Sequence, residues 1–475
     1  MTAGATRAGA AARELEVRSP YSGEVVGSVP LAGPQELEGA LAAAVPAARA
    51  MRELPAHERA AALHRAATAL ERDVDALAAT ITAEQGKTLA EARAEAERIP
   101  PIVRLCAEEA LRLGGELLPM DAAAVGVGRL GYTRPEPAGV VAAVTPFNYP
   151  AILVVHKVGP ALAAGNAVLL KPARATPLTA LFLTERLAGA GLPEHALQCL
   201  TGPGSSVGTA LCADPRVRRI SFTGSHVVGE AIARAAGIKP ITCELGSAAA
   251  LVVLADADLV RAAAAIAFSG YTNAGQNCVS TQRVIADRGV RDELVERLLA
   301  HVDAFATGDP ADPGTTLAPV IDAGEAERVV GWLREAEAGG AELLRGGERD
   351  GAVVAPAVVL EPPPHARVWR EELFGPAVAV RAVASDDEAL ALANDTRYGL
   401  AASVMTRSLD RALRFAHRLR AGMVHVNPPR GATWRADFMP WGGVGDSGFG
   451  REGVRYAVRE MTEDRLVVVH PGETA

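Results

Sequence analysis

The side chains best suited to covalent chemistry stand in Asn273-Ala-Gly-Gln-Asn-Cys-Val-Ser-Thr-Gln-Arg283. Cys278 sits there among glycine and amide residues, the setting of a constrained loop between a helix and a strand that begins near Arg283. A thiol in such a loop adds to a carbonyl carbon, and neighbouring backbone and amide N–H groups hold the resulting oxyanion. Glu244 ends an apolar run and precedes Leu245-Gly246-Ser247. A carboxylate in an apolar crevice has a raised pKa and works as a base near neutral pH; the competing reading is a glutamate that caps the next turn. Asn148 lies in Val144-Thr-Pro-Phe-Asn-Tyr-Pro150, a turn fixed by two prolines. A rigid amide suits oxyanion stabilisation, although asparagine is also an ordinary turn residue. The other cysteines, Cys106, Cys199, Cys212 and Cys243, occupy apolar or helical settings where a small buried hydrophobe is expected.

Two further segments suit an anionic ligand. Leu169-Leu-Lys-Pro172 places Lys171 at the end of a buried strand, with Arg174 three positions on. Strand ends in open α/β sheets line ligand crevices, so both cations would face one; alternatively the lysine snorkels from the sheet edge. Phe222-Thr-Gly-Ser-His-Val-Val-Gly229 follows an apolar run and opens a helix, a position where backbone N–H groups attract phosphate. Its glycine spacing is not the dinucleotide fingerprint GxGxxG, and a plain strand-to-helix turn competes with that reading.

The elements that must carry these residues follow from the hydrophobic pattern. Short apolar runs, Val140–Val144, Ala167–Leu170, Ile220–Phe222 and Ala250–Leu254, alternate with helical stretches such as Pro177–Ala190 and Gly229–Ala236. That grammar specifies parallel sheets covered by helices on both faces. Helices near Val290–Ala306 and Ala323–Ala338 and a β-like run at Val353–Leu360 suggest a second α/β lobe. The alanine-rich stretch Glu36–Arg112 predicts at least two or three helices, punctuated by Pro46, Pro55 and Pro100–Pro101. Val125–Thr133 alternates and is loosened by glycine, like an exposed ribbon that either forms a surface hairpin or meets another subunit. Leu466–His470 is another short β-like run, and Met1–Arg13 reads as a frayed tail without the apolar core of a signal peptide.

With 475 residues, 22% of them charged and 49% hydrophobic, the chain is folded rather than disordered and long enough for two to four domains. A net charge of −8 argues against a nucleic-acid footprint, and no apolar run reaches the ~20 residues needed to cross a bilayer. Five scattered cysteines with no CxxC pair predict neither a disulfide scaffold nor a metal site, and a reducing cytoplasm is the expected compartment.

Taken together and in order, these segments resemble the aldehyde dehydrogenase superfamily over nearly the whole chain. The matching stretches are Thr145-Pro-Phe-Asn-Tyr-Pro150, Lys171-Pro172, Phe222-Thr-Gly-Ser225, Glu244-Leu-Gly246, Gly275-Gln-Asn-Cys278, Glu371-Glu-Leu-Phe-Gly-Pro376, Pro440-Trp-Gly-Gly443 and Ser447-Gly448. The resemblance implies an α/β fold: a Rossmann-like cofactor domain (1–116 and 138–244), an α/β catalytic domain (245–445), and a β-ribbon oligomerisation element with a C-terminal tail (117–137 and 446–475). It implies a homodimer or tetramer. By the same resemblance Cys278 is the nucleophile, Asn148 and the Cys278 N–H form the oxyanion hole, and Glu244 activates water. Lys171 and Glu372 would hold the cofactor ribose hydroxyls, Phe374 would stand beside the nicotinamide, and Gly224 and Ser225 would form the pyrophosphate turn. Thr145, Pro146, Phe147 and Phe222 belong to the same cofactor crevice.

Departures from the family pattern sharpen the expectation. Arg174 stands where NAD-preferring relatives often carry a glutamate that binds the adenine-ribose diol, so NADP is expected to serve at least as well as NAD; the alternative has Arg174 pointing to solvent. Ser247-Ala248 and Gly445 also differ from the usual residues, with consequences for loop packing. Val426–Pro440 and Gln282-Arg283 resemble the branch of lactaldehyde, non-phosphorylating glyceraldehyde-phosphate and phosphonoacetaldehyde dehydrogenases. The expected substrate is therefore a small phosphorylated, phosphonylated, carboxylated or hydroxylated aldehyde, with His156, Arg283 and Arg430 as candidate contacts. The alternative for Arg283 and Arg435 is that they tie loops to the core. A CoA-acylating semialdehyde dehydrogenase and a non-catalytic structural member of the fold are the rival readings.

Overall fold

The computed structural model describes residues 14–433 and 436–471; the tail Met1–Arg13 and Arg435 lie outside them. A six-stranded sheet has the spatial order Gly448–Phe449, Ile241–Glu244, Val217–Thr223, Val140–Val144, Ala167–Lys171, Leu197–Cys199. Its five long-range neighbours run parallel except Gly448–Phe449, which pairs antiparallel with Ile241–Glu244. Strands bury both faces because they read as apolar without alternation: Val140–Val144 and Ala167–Lys171 are buried throughout. Chain order reverses between Val140–Val144 and Val217–Thr223, creating the crevice at which open α/β sheets bind ligands. This is the Rossmann-like sheet expected from the sequence.

A second, seven-stranded sheet has the order Glu342–Arg345, Ala357–Leu360, Ala377–Val383, Thr281–Asp287, Ala249–Val253, Ala401–Met405, Met423–Val426. Only Glu342–Arg345 is antiparallel to its neighbour. Buried Val, Ile and Leu from its central strands, with Trp369 and Phe415, form one apolar cluster. A separate cluster joins the first sheet to the alanine-rich helices.

Those helices number four: Pro34–Glu53, Ala56–Arg72, Val74–Gln85 and Leu89–Arg112. Pro55 ends the first of them as expected, but Pro46 and the Pro100–Pro101 pair lie inside helices. Burial of Ala92, Ala96, Ile99, Ile102, Val103 and Ala107 on one face outweighs the backbone bonds that the prolines remove. The actual break falls at Gly86, whose left-handed φ of 80° closes Val74–Gln85. A Cβ there would come within 3.0 Å of Pro319 and 3.2 Å of Pro20, so the turn requires glycine.

The ribbon is a three-stranded antiparallel sheet of Leu117–Leu118, Leu130–Pro137 and Thr462–Val469, in register from Thr462 opposite Pro137 to Val469 opposite Leu130. It is longer at its C-terminal strand than the sequence suggested and shorter at its start. Residues 120–126 coil into two short 3₁₀ turns, packed so closely that a Cβ on Gly126 would overlap the Met120 carbonyl. Leu117, Val125, Val127, Leu130, Leu466 and Val469 are exposed on this element. Among the described residues no helix is long and apolar enough to cross a membrane.

Candidate active site

The carboxyl ends of the first sheet's strands converge on one crevice. Val144 leads into Thr145, whose N–H donates to the Lys171 carbonyl (3.1 Å), so the two strand ends are locked in register. Lys171 is buried and its Nζ donates to the Pro172 carbonyl at 2.7 Å; burial lowers its pKa to about 8. Arg174 follows in an exposed turn. Beyond Val217–Thr223, the Gly224 N–H donates to the Glu244 carbonyl (3.1 Å) and Ser225 caps helix His226–Ala236, accepting from the Val228 N–H. A Cβ on Gly224 would lie 2.6 Å from the Phe222 ring, so the turn stays bare and its approach to a ligand open. This bare turn at a helix N-terminus fits a pyrophosphate.

Across the crevice, Glu372 accepts from the Ser247 N–H (2.9 Å), and burial raises its pKa to about 7. Any Cβ on Gly246 would fall 2.5 Å from its carboxylate. Phe374, at a left-handed φ of 52°, meets Phe147 edge-on with ring centroids 5.8 Å apart. Pro146 and Phe147 are half-buried beside it. Gln282 is the anchor of this wall: its side-chain amide donates to the Val368 and Glu371 carbonyls and accepts from the Leu373 N–H. The residues present therefore fit a dinucleotide across the strand ends.

Asn148 and the cysteine loop are joined directly. Asn148 is buried and its Nδ2 donates to the Gln276 carbonyl at 2.9 Å, two residues before Cys278. The loop itself is unusual backbone: Asn273 and Ala274 take left-handed φ values of 54° and 53°. Gly275 is pressed against Gly375, where a Cβ would sit 1.9 Å from the carbonyl oxygen. Asn277 accepts from the Val279 N–H and donates to the Tyr149 hydroxyl at 3.3 Å. Cys278 is half-buried, packed with Val279, Leu400 and Ala432, its Sγ 3.9 Å from the Asn277 amide oxygen. By contrast, burial pushes the Cys199 and Cys212 thiols up to about 12 and Cys243 up to about 11, and raises Cys106 further.

Glu244 is buried at the end of Ile241–Glu244. Its outer neighbour is Gly448–Phe449, and Ser447 binds the Gly246 carbonyl through its hydroxyl (2.7 Å). The carboxylate lies against Gly442, where a Cβ would be 2.7 Å from Oε1. One residue earlier, Trp441 pairs through its backbone with Glu452, whose carboxylate forms a buried ion pair with Lys157. Lys157 also donates to Ser221 Oγ at 3.2 Å. Sequence reading did not single out Lys157 or Glu452; they lie 295 positions apart.

Two of the expected substrate contacts are corrected by the structure. Arg283 is fully buried, donating to the carbonyls of Ala248, Leu392 and Ala393. Its guanidinium ties the second sheet to helix Asp386–Asn394 and is spent on backbone acceptors. His156 is also buried, with Nε2 3.1 Å from Asp437 and its ring edge-on to Trp441, and Asp437 pairs in turn with Arg98. Arg430 does line a cavity of about 530 Å³, its guanidinium 4.8 Å from the Phe268 ring centroid. The same cavity is lined by Asn277, Tyr149, Lys87 and Arg98. Arg98, which bonds Asp437 at 2.5 Å, was missed because nothing near it in sequence points to a site.

Comparison with known proteins agrees with this architecture. The profile of the "Aldehyde dehydrogenase family" matches residues 7–467. A 3-sulfolactaldehyde dehydrogenase from Priestia aryabhattai is 39% identical over 459 residues, 97% of this chain and 95% of that protein. The crystal structure of an aldehyde dehydrogenase from Physcomitrella patens, in complex with the reaction product succinate, superposes with a TM-score of 0.94 at 34% identity, covering 98% of this chain and 96% of that one. That of an NADP-dependent glyceraldehyde-3-phosphate dehydrogenase from Bacillus halodurans, complexed with NADP, gives 0.93 at 36% identity, with 96% of each chain covered.

Proposed function

Because this chain belongs to the aldehyde dehydrogenase family and is an NAD(P)-dependent oxidoreductase, we propose that it oxidises a small anionic aldehyde to its carboxylic acid through a cysteine thioester. The Cys278 thiolate adds to the carbonyl carbon, forming a C–S bond, and the carbonyl oxygen becomes an oxyanion. One N–H of the Asn148 amide is committed to Gln276, which fixes the amide plane, and the second is left for that oxyanion beside the Cys278 N–H. Bound NAD(P) supplies the hydride acceptor for the resulting thiohemiacetal. Lys171 and Glu372 would hold its ribose hydroxyls, Gly224 and Ser225 its pyrophosphate, and Phe147 and Phe374 would flank the nicotinamide, with Thr145, Pro146 and Phe222 shaping the crevice. Glu244 takes a proton from water as the water attacks the thioester; the C–S bond breaks and the thiolate is restored.

The observation that carries the substrate class is Arg430 lining one cavity with Asn277, the neighbour of Cys278, together with Arg98, which is paired with Asp437, while the carboxylates Glu91 and Glu95 in the same lining are bonded to Asn273 and Lys87. Arginine reads carboxylate, sulfonate or phosphate by paired hydrogen bonds. The sulfonate of sulfolactaldehyde and the second carboxylate of succinate, named for two of the relatives, belong to that class. Arg430→Ala and Arg98→Ala should each raise KM for succinic semialdehyde by about 10- to 100-fold, the worth of one charge-assisted contact, and leave propionaldehyde within about threefold. An aldehyde panel in which uncharged long-chain or aromatic substrates win would overturn this reading.

The charge of Arg174, three residues beyond Lys171, and the NADP named for two relatives support NADP as the better or equal cofactor. Arg174→Glu should lower kcat/KM for NADP by about tenfold or more while NAD changes little, since it exchanges an attractive for a repulsive charge at the 2′-phosphate. A parent enzyme that favours NAD more than about tenfold, roughly 1.4 kcal/mol, would contradict it. On the same footing, the three-part division at 117–137, 245 and 446 and a homo-oligomer built on the apolar ribbon complete the proposal.

A further inference from the structure

The connector Gly86-Lys87-Thr88, between helices Val74–Gln85 and Leu89–Arg112, buries a charged side chain against the oxyanion turn. Lys87 Nζ donates to Glu95 Oε2 at 2.5 Å and to the Asn148 carbonyl at 3.0 Å, and stands 3.8 Å from the centroid of the Tyr149 ring. The other oxygen of Glu95 accepts from the Ala151 and Ile152 N–H groups at 2.9 and 3.0 Å. All of these contacts beyond the pair itself therefore fall on residues 148–152. The same stretch of chain also grips the cysteine loop. Gln85 donates to the Asn273 side chain (3.0 Å), Glu91 accepts from the Asn273 N–H (2.7 Å), and Asn273 in turn donates to the Asn148 carbonyl (2.9 Å).

We propose that Lys87 and Glu95 are a positioning pair for the oxyanion hole, setting the backbone of Asn148 so that its side-chain amide faces the loop of Cys278. The inference rests on the oxyanion role given to Asn148 above. Stability alone does not call for this pair, since a buried ion pair is commonly no more stabilising than well-packed apolar residues of similar volume. Its geometry is specific instead: the pair holds residues 148–152 while Gln85 and Glu91 of the same stretch of chain hold Asn273, so the Asn148 turn is fixed against the cysteine loop where an error of an ångström is costly to a reacting geometry.

The test is a double-mutant cycle on the full-length enzyme with bound cofactor, using Lys87→Met, Asn148→Ala and the combination. Lys87→Met should lower kcat by about 10- to 100-fold, part of what an oxyanion donor supplies, with NADP affinity measured by fluorescence titration within about twofold of the parent. Lys87→Arg, which keeps a charged donor, should recover most of the loss. In the Asn148→Ala background Lys87→Met should cost less than about threefold more, because the amide it sets is gone. A fully multiplicative loss, or a kcat within about twofold of the parent for Lys87→Met alone, overturns the proposal. Should Lys87→Met not fold, Glu95→Gln enters the cycle with the same expectations. An Asn148→Ala enzyme as fast as the parent defeats the oxyanion reading itself; a slow Asn148→Ala with a fast Lys87→Met defeats only the positioning pair.

Discussion

Replacement of Cys278 by alanine is expected to lower aldehyde oxidation by at least about 10⁴-fold, because the covalent route disappears with the nucleophile. No neighbouring thiol can substitute. Cys106, Cys199, Cys212 and Cys243 are held protonated by burial, two of them at about 12 and one at about 11. Cys278 differs in lying half-buried on a loop of left-handed residues, beside the amide chain that runs from Asn148 through Gln276. Two measurements check the claim: steady-state rates with NADP, and iodoacetamide labelling followed by peptide mapping. The fast-labelled peptide should be the one containing Cys278, and NADP titration should show cofactor binding retained in the alanine variant. A variant that keeps its activity would remove the covalent mechanism altogether; a parent protein inactive on every aldehyde of the panel would revive the structural member of the fold.

Glu244→Gln separates the two halves of the reaction. The amide keeps the volume of the carboxylate in its buried place against Gly442 but cannot take a proton from water. Mixing enzyme, NADP and aldehyde should give a rapid rise of reduced cofactor close to one equivalent per active site. Steady turnover should then be slower by about 10²- to 10⁴-fold, the usual contribution of a positioned base. Mass spectrometry of the quenched enzyme should find the acyl group on Cys278. The parent enzyme should release free acid with no CoA present, which separates hydrolysis from acyl transfer to CoA. If the variant loses the initial rise and the steady rate equally, Glu244 acts before hydride transfer and the assignment as hydrolytic base fails.

What the sequence made legible follows from how local each signal was. Ala167–Lys171 is an apolar run closed by a lysine and Ile241–Glu244 a mostly apolar one closed by a glutamate, so the pattern locates both the strand and the residue at its mouth. Lys171 and Glu244 were found for this reason, Asn148 from the two prolines that fix its turn, and Cys278 from the density of Gly and amides around it. The substrate cations were harder. Arg283 is five residues from Cys278, but it lies within strand Thr281–Asp287, whose hydrogen-bonded register turns its side chain toward the Leu392 and Ala393 carbonyls. Arg98 reaches the cavity from a helix 180 positions upstream of Cys278. No spacing rule links the two, because only the tertiary packing of Leu89–Arg112 against the Asn148 turn brings them together. The long helices through Pro46 and Pro100–Pro101 escaped for the same reason: packing of a buried face overrode a local breaker.

The outer neighbour of the strand carrying Glu244 comes from Gly448–Phe449, some two hundred positions downstream. Such distant pairing makes folding slow and ties its completion to a segment made well after the strand it joins. A nascent polypeptide thus emerges from the ribosome with its sulfhydryl already made while the edge that flanks its carboxylate is still untranslated, and enzymatic competence arrives only once that downstream edge has been made.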